Sequence, residues 1–129
     1  MKSDEAFMLE LQPHVERTVQ KICSALGKQG DATAAQDVAK LLKEEASHAI
    51  KVLAEKGRLT GREEQESTLH RARILRKAPS IADQMMKSCG LDLRQPQRLQ
   101  KRIAEDVVAF DQVLFTLWDA GRQEERERE

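Results

Sequence analysis

Three glutamate–histidine pairs could supply acid–base or metal-binding chemistry, because one helical turn separates their members: Glu10–His14, Glu44–His48 and Glu66–His70. Glu45 also forms a Glu-x-x-His unit with His48, the unit that di-iron carboxylate bundles place inside a four-helix core. Those bundles need two such units, and the sequence contains one. We therefore predict no metal site, no cofactor and no catalytic residue, and we interpret Glu45 as solvated or salt-bridged. A metal-dependent helical-bundle enzyme is the minor alternative.

Two cysteines, Cys23 and Cys89, are too few for a disulfide framework and suit free thiols in a reducing compartment. Both lie near apolar helix faces, and no Ser, His and acid are brought together by spacing, so nucleophilic catalysis has no support. No stretch approaches the roughly 18 apolar residues of a membrane span, and the first ten residues lack the apolar core of a signal peptide. We predict a non-enzymatic, cytoplasmic protein with no membrane partner.

Asp111 is a charge within the apolar face of the last predicted helix. An unpaired buried carboxylate is either costly or protonated. Two interpretations stay open. Asp111 pairs with an Arg or Lys from the third predicted helix or from another subunit, or it lies at the seam between two apolar faces and reaches water.

The charges of the last predicted helix are arranged against its macrodipole. Cations lie at its start and glutamates cluster at its end, although each misplaced exposed charge costs about 0.3–1 kcal/mol. An anionic partner at the basic end would recover that cost. A locally unfavourable choice of this kind is where function is worth seeking.

The formal net charge is +0, yet residues 67–102 carry nine basic and two acidic side chains, whereas 103–129 carry three basic and eight acidic ones. This asymmetry fits an anionic partner for the middle segment, docking of the tail on that segment, or a head-to-tail contact between two copies. A solvated basic face is the plain alternative.

Helical periodicity runs through every long segment, and the β-branched alternation of strands is absent, so the fold class is all-α. We predict an antiparallel bundle of four to five helices with a long, central C-terminal helix. Glycines and Pro79 separate the predicted helices, which cover approximately 4–26, 31–56, 61–77, 80–89 and 96–120. Residues 1–121 form a single helical-bundle domain, and 122–129 form a charged, disordered tail.

The last predicted helix is apolar around roughly 220° of its circumference, more than one packing partner requires. It is therefore either the central rod of the bundle or shared between its own chain and a second copy. The residues expected to bind a partner combine this face with the basic start of the helix: Arg94, Arg98, Lys101, Arg102, Val108, Asp111, Phe115 and Trp118.

These features favour a protein-interaction module, such as an adaptor, regulator or chaperone-like subunit, that acts through helix-face contacts on another protein and also on itself as a homodimer. The alternative is a nucleic-acid-binding accessory protein that uses the basic segment 71–102, whose end has the outline of a helix-turn-helix. A pI near 6.8 lacks the usual basic excess of such proteins. Its candidate contacts are Arg71, Arg73, Arg76, Lys77, Arg94, Gln97, Arg98 and Lys101.

Overall fold

Four helices make up the computed structural model, which describes residues 4–60, 63–91 and 97–128. They are α1 (Asp4–Ala25), α2 (Ala32–Thr60), α3 (Glu63–Ser88) and α4 (Gln97–Arg128). No strand occurs among these described residues. The all-α prediction is confirmed, and the helix count is four.

The helices pack as a ring in which α1 lies against α2, α2 against α3, α3 against α4, and α4 against α1. α2 and α4 contact each other more sparsely across the diagonal. α3 and α4 run antiparallel, because Glu66 pairs with Arg122 near one end and Asp83 accepts a hydrogen bond from Gln100 near the other. Each helix turns an apolar stripe inward, which includes Leu11, Ile22, Val38, Leu42, Leu53, Ile74, Met85, Ile103, Val107 and Leu114.

The start of α2 is fixed by Asp31, whose Oδ1 accepts hydrogen bonds from the amides of Thr33 and Ala34 over 3.0 and 3.1 Å. These bonds satisfy donors that the first helical turn leaves without a partner. At its other end the helix continues through Gly57 to Thr60. The end predicted at residue 56 is therefore too early.

Glycines end α1 and α3 where the sequence predicts. Gly27 has a φ of 71°, and the next amide, of Lys28, donates to the carbonyl of Cys23 over 2.9 Å. This is the left-handed closure that glycine adopts without steric cost. Gly90, with a φ of 75°, closes α3 through the same pattern of bonds.

Pro79 does not end a helix, contrary to prediction, and the third and fourth predicted helices are one continuous α3. Pro79 is exposed, so the carbonyl that loses its N–H partner, that of Leu75, can bond water instead. The next turn is anchored by the buried side chains of Ile81 and Ala82. Burial on the inner face therefore outweighs the local cost of proline on the outer face.

Pro79→Ala is expected to raise the free energy of unfolding by about 2 kcal/mol. Proline in a helix interior is about 3 kcal/mol less favourable than alanine, and the gain is reduced by about 1 kcal/mol because the unfolded variant has more freedom. Urea unfolding measures the difference. Ser80→Ala, at the neighbouring exposed position, is the control and should change stability by less than about 0.5 kcal/mol. An unchanged or lower stability of Pro79→Ala contradicts this account.

α4 extends beyond its predicted end at Ala120, through Gly121 to Arg128. Arg122, the first residue of the predicted tail, pairs with Glu66 of α3 and is half-buried. The helix boundary predicted before Gly121 is therefore wrong. The division of the chain at residue 121 and the disorder of 122–129 in solution stay predictions.

Candidate functional site: a buried ionic cluster

Two carboxylates lie inside the apolar core. Glu45 of α2 is 3% exposed and Asp111 of α4 is 0% exposed. Arg73 of α3 reaches between them, since its Nη2 donates to Oε1 of Glu45 and also, over 3.4 Å, to Oδ2 of Asp111. We expected a cation for Asp111 to come from the third predicted helix or from another subunit. The structure shows the first of these, because Arg73 belongs to α3. Of the two interpretations of Glu45, solvated or salt-bridged, the structure shows the salt bridge.

Lys77 and His70, both on α3, complete the site. Nζ of Lys77 lies 3.3 Å from Oε2 of Glu45, and its side chain is 41% exposed, so it connects the carboxylate to the surface. Nε2 of His70 lies 3.3 Å from the carbonyl oxygen of Asp111 and 3.4 Å from its Oδ2. We call Glu45, His70, Arg73, Lys77 and Asp111 the ionic cluster.

Burial, followed by the negative charge of Glu45, raises the pKa of Asp111 to about 8, and the cations Arg73 and Lys77 offset only part of this rise. Oδ1 of Asp111 and the Nε and Nη1 of Arg73 are buried and form no hydrogen bond within the described ranges. The carboxylate is thus poorly compensated when ionised. At neutral pH the cluster mostly holds Asp111 as the neutral acid, and it can exchange a proton near physiological pH.

The polar stripe of α3 that faces the interior was not predicted as a set, although the sequence carries a signal for it. Glu66, His70, Arg73 and Lys77 are spaced by four, three and four residues, which places them on one side of a helix. A polar stripe of that length on a helix with few apolar residues is typical of a helix that faces buried charges.

A second polar group closes the seam between α3 and α4. Arg122 donates to the buried carboxylate of Glu66, and its Nη2 donates to Oδ1 of Asp119 over 2.8 Å. The Arg122 guanidinium also lies 4.5 Å from the ring centroid of Trp118, within cation–π range. Phe115 stacks on the ring of His70 with centroids 5.4 Å apart. Phe115 and Trp118 of α4 are therefore in contact with polar groups of their own chain.

The residues predicted to bind a partner fall into different environments. Val108, Phe115 and Trp118 are half-buried and pack against the core, and Asp111 is fully buried. At least part of the covering that the wide apolar arc requires therefore comes from the chain itself. The basic residues of the set that the structure describes, Arg98, Lys101 and Arg102, are exposed, and Arg94 lies outside the described residues.

The set proposed for nucleic acid is also divided. Arg73 is turned into the ionic cluster, and Lys77 pairs with Glu45. The other described members lie exposed on α3 and at the start of α4: Arg71, Arg76, Gln97, Arg98 and Lys101. The structure thus brings part of the set to the surface and commits Arg73 and Lys77 to ion pairs with buried carboxylates.

The possible metal and thiol sites are not assembled in the described ranges. No group of three or more His, Cys, Asp or Glu in them could hold a metal ion. Glu45 is buried while His48 is exposed, so the two halves of the Glu-x-x-His unit face different surroundings. Burial raises the pKa of both thiols, Cys23 and Cys89, and this lowers the fraction of reactive thiolate.

None of the four helices, over the residues described, combines the length and apolar character needed to cross a bilayer. Large apolar side chains are nevertheless exposed on α3. Leu69 is 41% exposed and Leu75 is 51% exposed, and Ala72 and Pro79 lie on the same outward side. We call Leu69, Ala72, Leu75 and Pro79 the outer face of α3.

Comparison with known proteins assigns no family to this chain. No family model, no curated protein and no solved structure matches it. Its function is therefore argued from the ionic cluster, the exposed helix faces and their charges.

Proposed function

We propose that the protein is a non-enzymatic interaction module, an adaptor or regulatory subunit, that binds another protein through exposed faces of its helices. The observation that carries this proposal is the outer face of α3. Two of the three large apolar side chains that are exposed in the described ranges, Leu69 and Leu75, belong to it. Contiguous apolar positions left in water commonly mark a docking surface.

The charges beside this face define the partner. Arg71 and Arg76 are exposed next to it, and neither forms an ion pair with a residue in the described part of the chain. The face extends from residue 69 to 79, about 15 Å at 1.5 Å per residue. This length suits about three turns of a partner helix. The partner is an amphipathic helix with apolar residues on one side and acidic residues flanking them.

The long C-terminal helix is central to this role in our proposal. Val108, Phe115 and Trp118 pack against the core, and Phe115 also stacks on His70 of α3. We place this binding in the cytoplasm, in keeping with two free thiols.

A designed peptide tests the proposal. The probe is a fluorescent amphipathic helix of about 18 residues, with leucines on one side and glutamates beside them. Leu69→Ser combined with Leu75→Ser is expected to raise its dissociation constant at least about 10-fold, because the apolar contact is lost. Leu9→Ser is the matched control, since Leu9 is 75% exposed on α1. It should leave the dissociation constant within about twofold of the wild-type value.

Two outcomes contradict the proposal. In the first, the acidic peptide does not bind, or binds no better than a copy with lysine in place of glutamate. In the second, the wild type binds a short DNA or RNA at ~50 mM salt and loses it steeply as salt rises. Loss of this nucleic-acid binding in a variant that combines Arg71→Gln with Arg76→Gln would favour the nucleic-acid alternative.

A further inference from the structure

The solvent face of α4 carries opposite charges at its two ends. Nine of its exposed residues follow one another at three- and four-residue spacing, so they form one line along the helix. Cations occupy the first two turns, short or uncharged side chains follow Glu105, and acids occupy the last turns: Arg98, Lys101, Glu105, Ala109, Gln112, Thr116, Ala120, Glu124 and Glu127. We call these nine residues the α4 line.

The charged ends of the α4 line are without ion-pair partners in the described residues. Arg98, Lys101, Glu124 and Glu127 form no ion pair there. The cations also lie at the positive end of the helix macrodipole and the acids at its negative end. In the isolated chain these four charges therefore interact unfavourably with the macrodipole of α4.

We infer that the α4 line binds a second copy of the same helix, antiparallel, about a two-fold axis beside Gln112. Positions 98 and 127 are equally distant from that axis, and so are 101 and 124. Arg98 of one copy then faces Glu127 of the other, Lys101 faces Glu124, and the symmetry forms each pair twice.

The middle of the α4 line suits this arrangement. In the same register Ala109 lies opposite Thr116, and Glu105 lies opposite Ala120. The small side chains of Ala109, Thr116 and Ala120 let the two helices approach closely, and the central Gln112 lies near its own counterpart. We favour a second copy over a different, anionic protein. The reason is that the α4 line carries positive and negative charges in an order that is complementary to its own antiparallel copy.

The antiparallel arrangement also corrects the dipole mismatch. The acidic end of each α4 lies beside the basic start of the other, so each helix start receives the negative charge that it lacks. Exposed ion pairs are individually weak and are screened by salt. We therefore expect a dissociation constant in the micromolar range that rises with ionic strength.

This surface is separate from the outer face of α3 and from the inward side of α4. Asp111 is buried, and Val108 and Phe115 pack against the core. Self-association through the α4 line therefore leaves the outer face of α3 free. Failure of the peptide to bind α3 and failure of the dimer to form are distinguishable results.

Two charge variants test the inference by sedimentation velocity at low salt. The acidic variant is Arg98→Glu with Lys101→Glu, and the basic variant is Glu124→Lys with Glu127→Lys. Each alone opposes like charges, so its dissociation constant should rise at least about 10-fold. An equimolar mixture opposes unlike charges at both ends and should form a heterodimer with near wild-type affinity.

Unfolding does not explain such a loss, because both variants improve the match between charge and macrodipole. Their thermal midpoints should equal or exceed that of the wild type. The inference is overturned if the wild type is a monomer at the highest concentration tested. It is also overturned if the variants dimerise as well as the wild type, or if the mixture does not associate.

Single cysteines test the register, in a Cys89→Ser background that removes the half-buried native thiol. Gln112→Cys should give an oxidised, covalently linked dimer, because position 112 lies near the axis. Arg98→Cys alone should not, whereas a mixture of Arg98→Cys and Glu127→Cys should. Linking of Arg98→Cys to itself would show a parallel pair and would overturn the proposed geometry.

Discussion

Arg73→Met is expected to lower the free energy of unfolding by about 3–5 kcal/mol, because it leaves buried carboxyl groups without their shared cation. Glu45 keeps only Lys77, and Asp111 keeps His70. Urea unfolding at pH 7 measures the loss. Arg71→Met, at an exposed position two residues earlier on α3, is the matched control and should cost less than about 0.5 kcal/mol.

Replacement of the buried charges together separates their pairing from simple packing. Glu45→Leu with Arg73→Met and Asp111→Leu removes the charges while retaining apolar volume. The triple variant is expected to recover most of the stability lost in Arg73→Met, or to exceed the wild type, because no charge then has to be desolvated. If Arg73→Met costs no more than Arg71→Met, the cluster does not hold the three helices together.

The contribution of Asp111 to the free energy of unfolding should fall as pH rises from about 4 to about 8. Asp111 has a pKa of about 8 in the folded protein and about 3.9 when unfolded. Between these values the folded chain keeps a proton that the unfolded chain has released, so each added pH unit favours unfolding. The slope from this one group is up to about 1.4 kcal/mol per pH unit. Its stabilising effect is complete below about pH 4 and lost above about pH 8.

Asp111→Asn isolates this effect, since the amide cannot titrate. Urea unfolding at several values between pH 5 and pH 8 should show a shallower slope for Asp111→Asn than for the wild type, and a relative gain for the variant at the alkaline end. Glu105→Gln changes an exposed carboxylate on the same helix and should keep the wild-type slope. Equal slopes for the wild type and Asp111→Asn would show that Asp111 ionises normally in the fold.

Local signals predicted the helices well where backbone chemistry decides the outcome. Gly27 and Gly90 end helices because their left-handed conformation favours glycine, and Asp31 caps α2 through its own side chain. The helix end predicted at Pro79 is wrong because the free-energy cost of a proline depends on whether it lies on the exposed or the buried side of the helix. That depends on packing against α2 and α4, which no local window contains.

Two of the five residues of the ionic cluster could be predicted in the same way. Glu45 and Asp111 each interrupt an apolar stripe, so the sequence alone indicates that each needs a partner. The sequence does not show which cation pairs with each carboxylate. Arg71, Arg73 and Arg76 are equivalent by composition, and only the tertiary arrangement of α3 turns Arg73 inward. The outer face of α3 could not be predicted for the same reason, because the exposure of Leu75 depends on how the other helices pack beside α3.

The α3–α4 hairpin carries polar pairs at three heights: Glu66 with Arg122, Arg73 with Asp111, and Asp83 with Gln100. An apolar seam tolerates sliding by one turn, about 5.4 Å, because one leucine can replace another. Here the same shift would separate all three pairs and leave their polar groups without partners. The pairs thus fix the register of α3 against α4 and exclude packings that differ from the native one by a single turn.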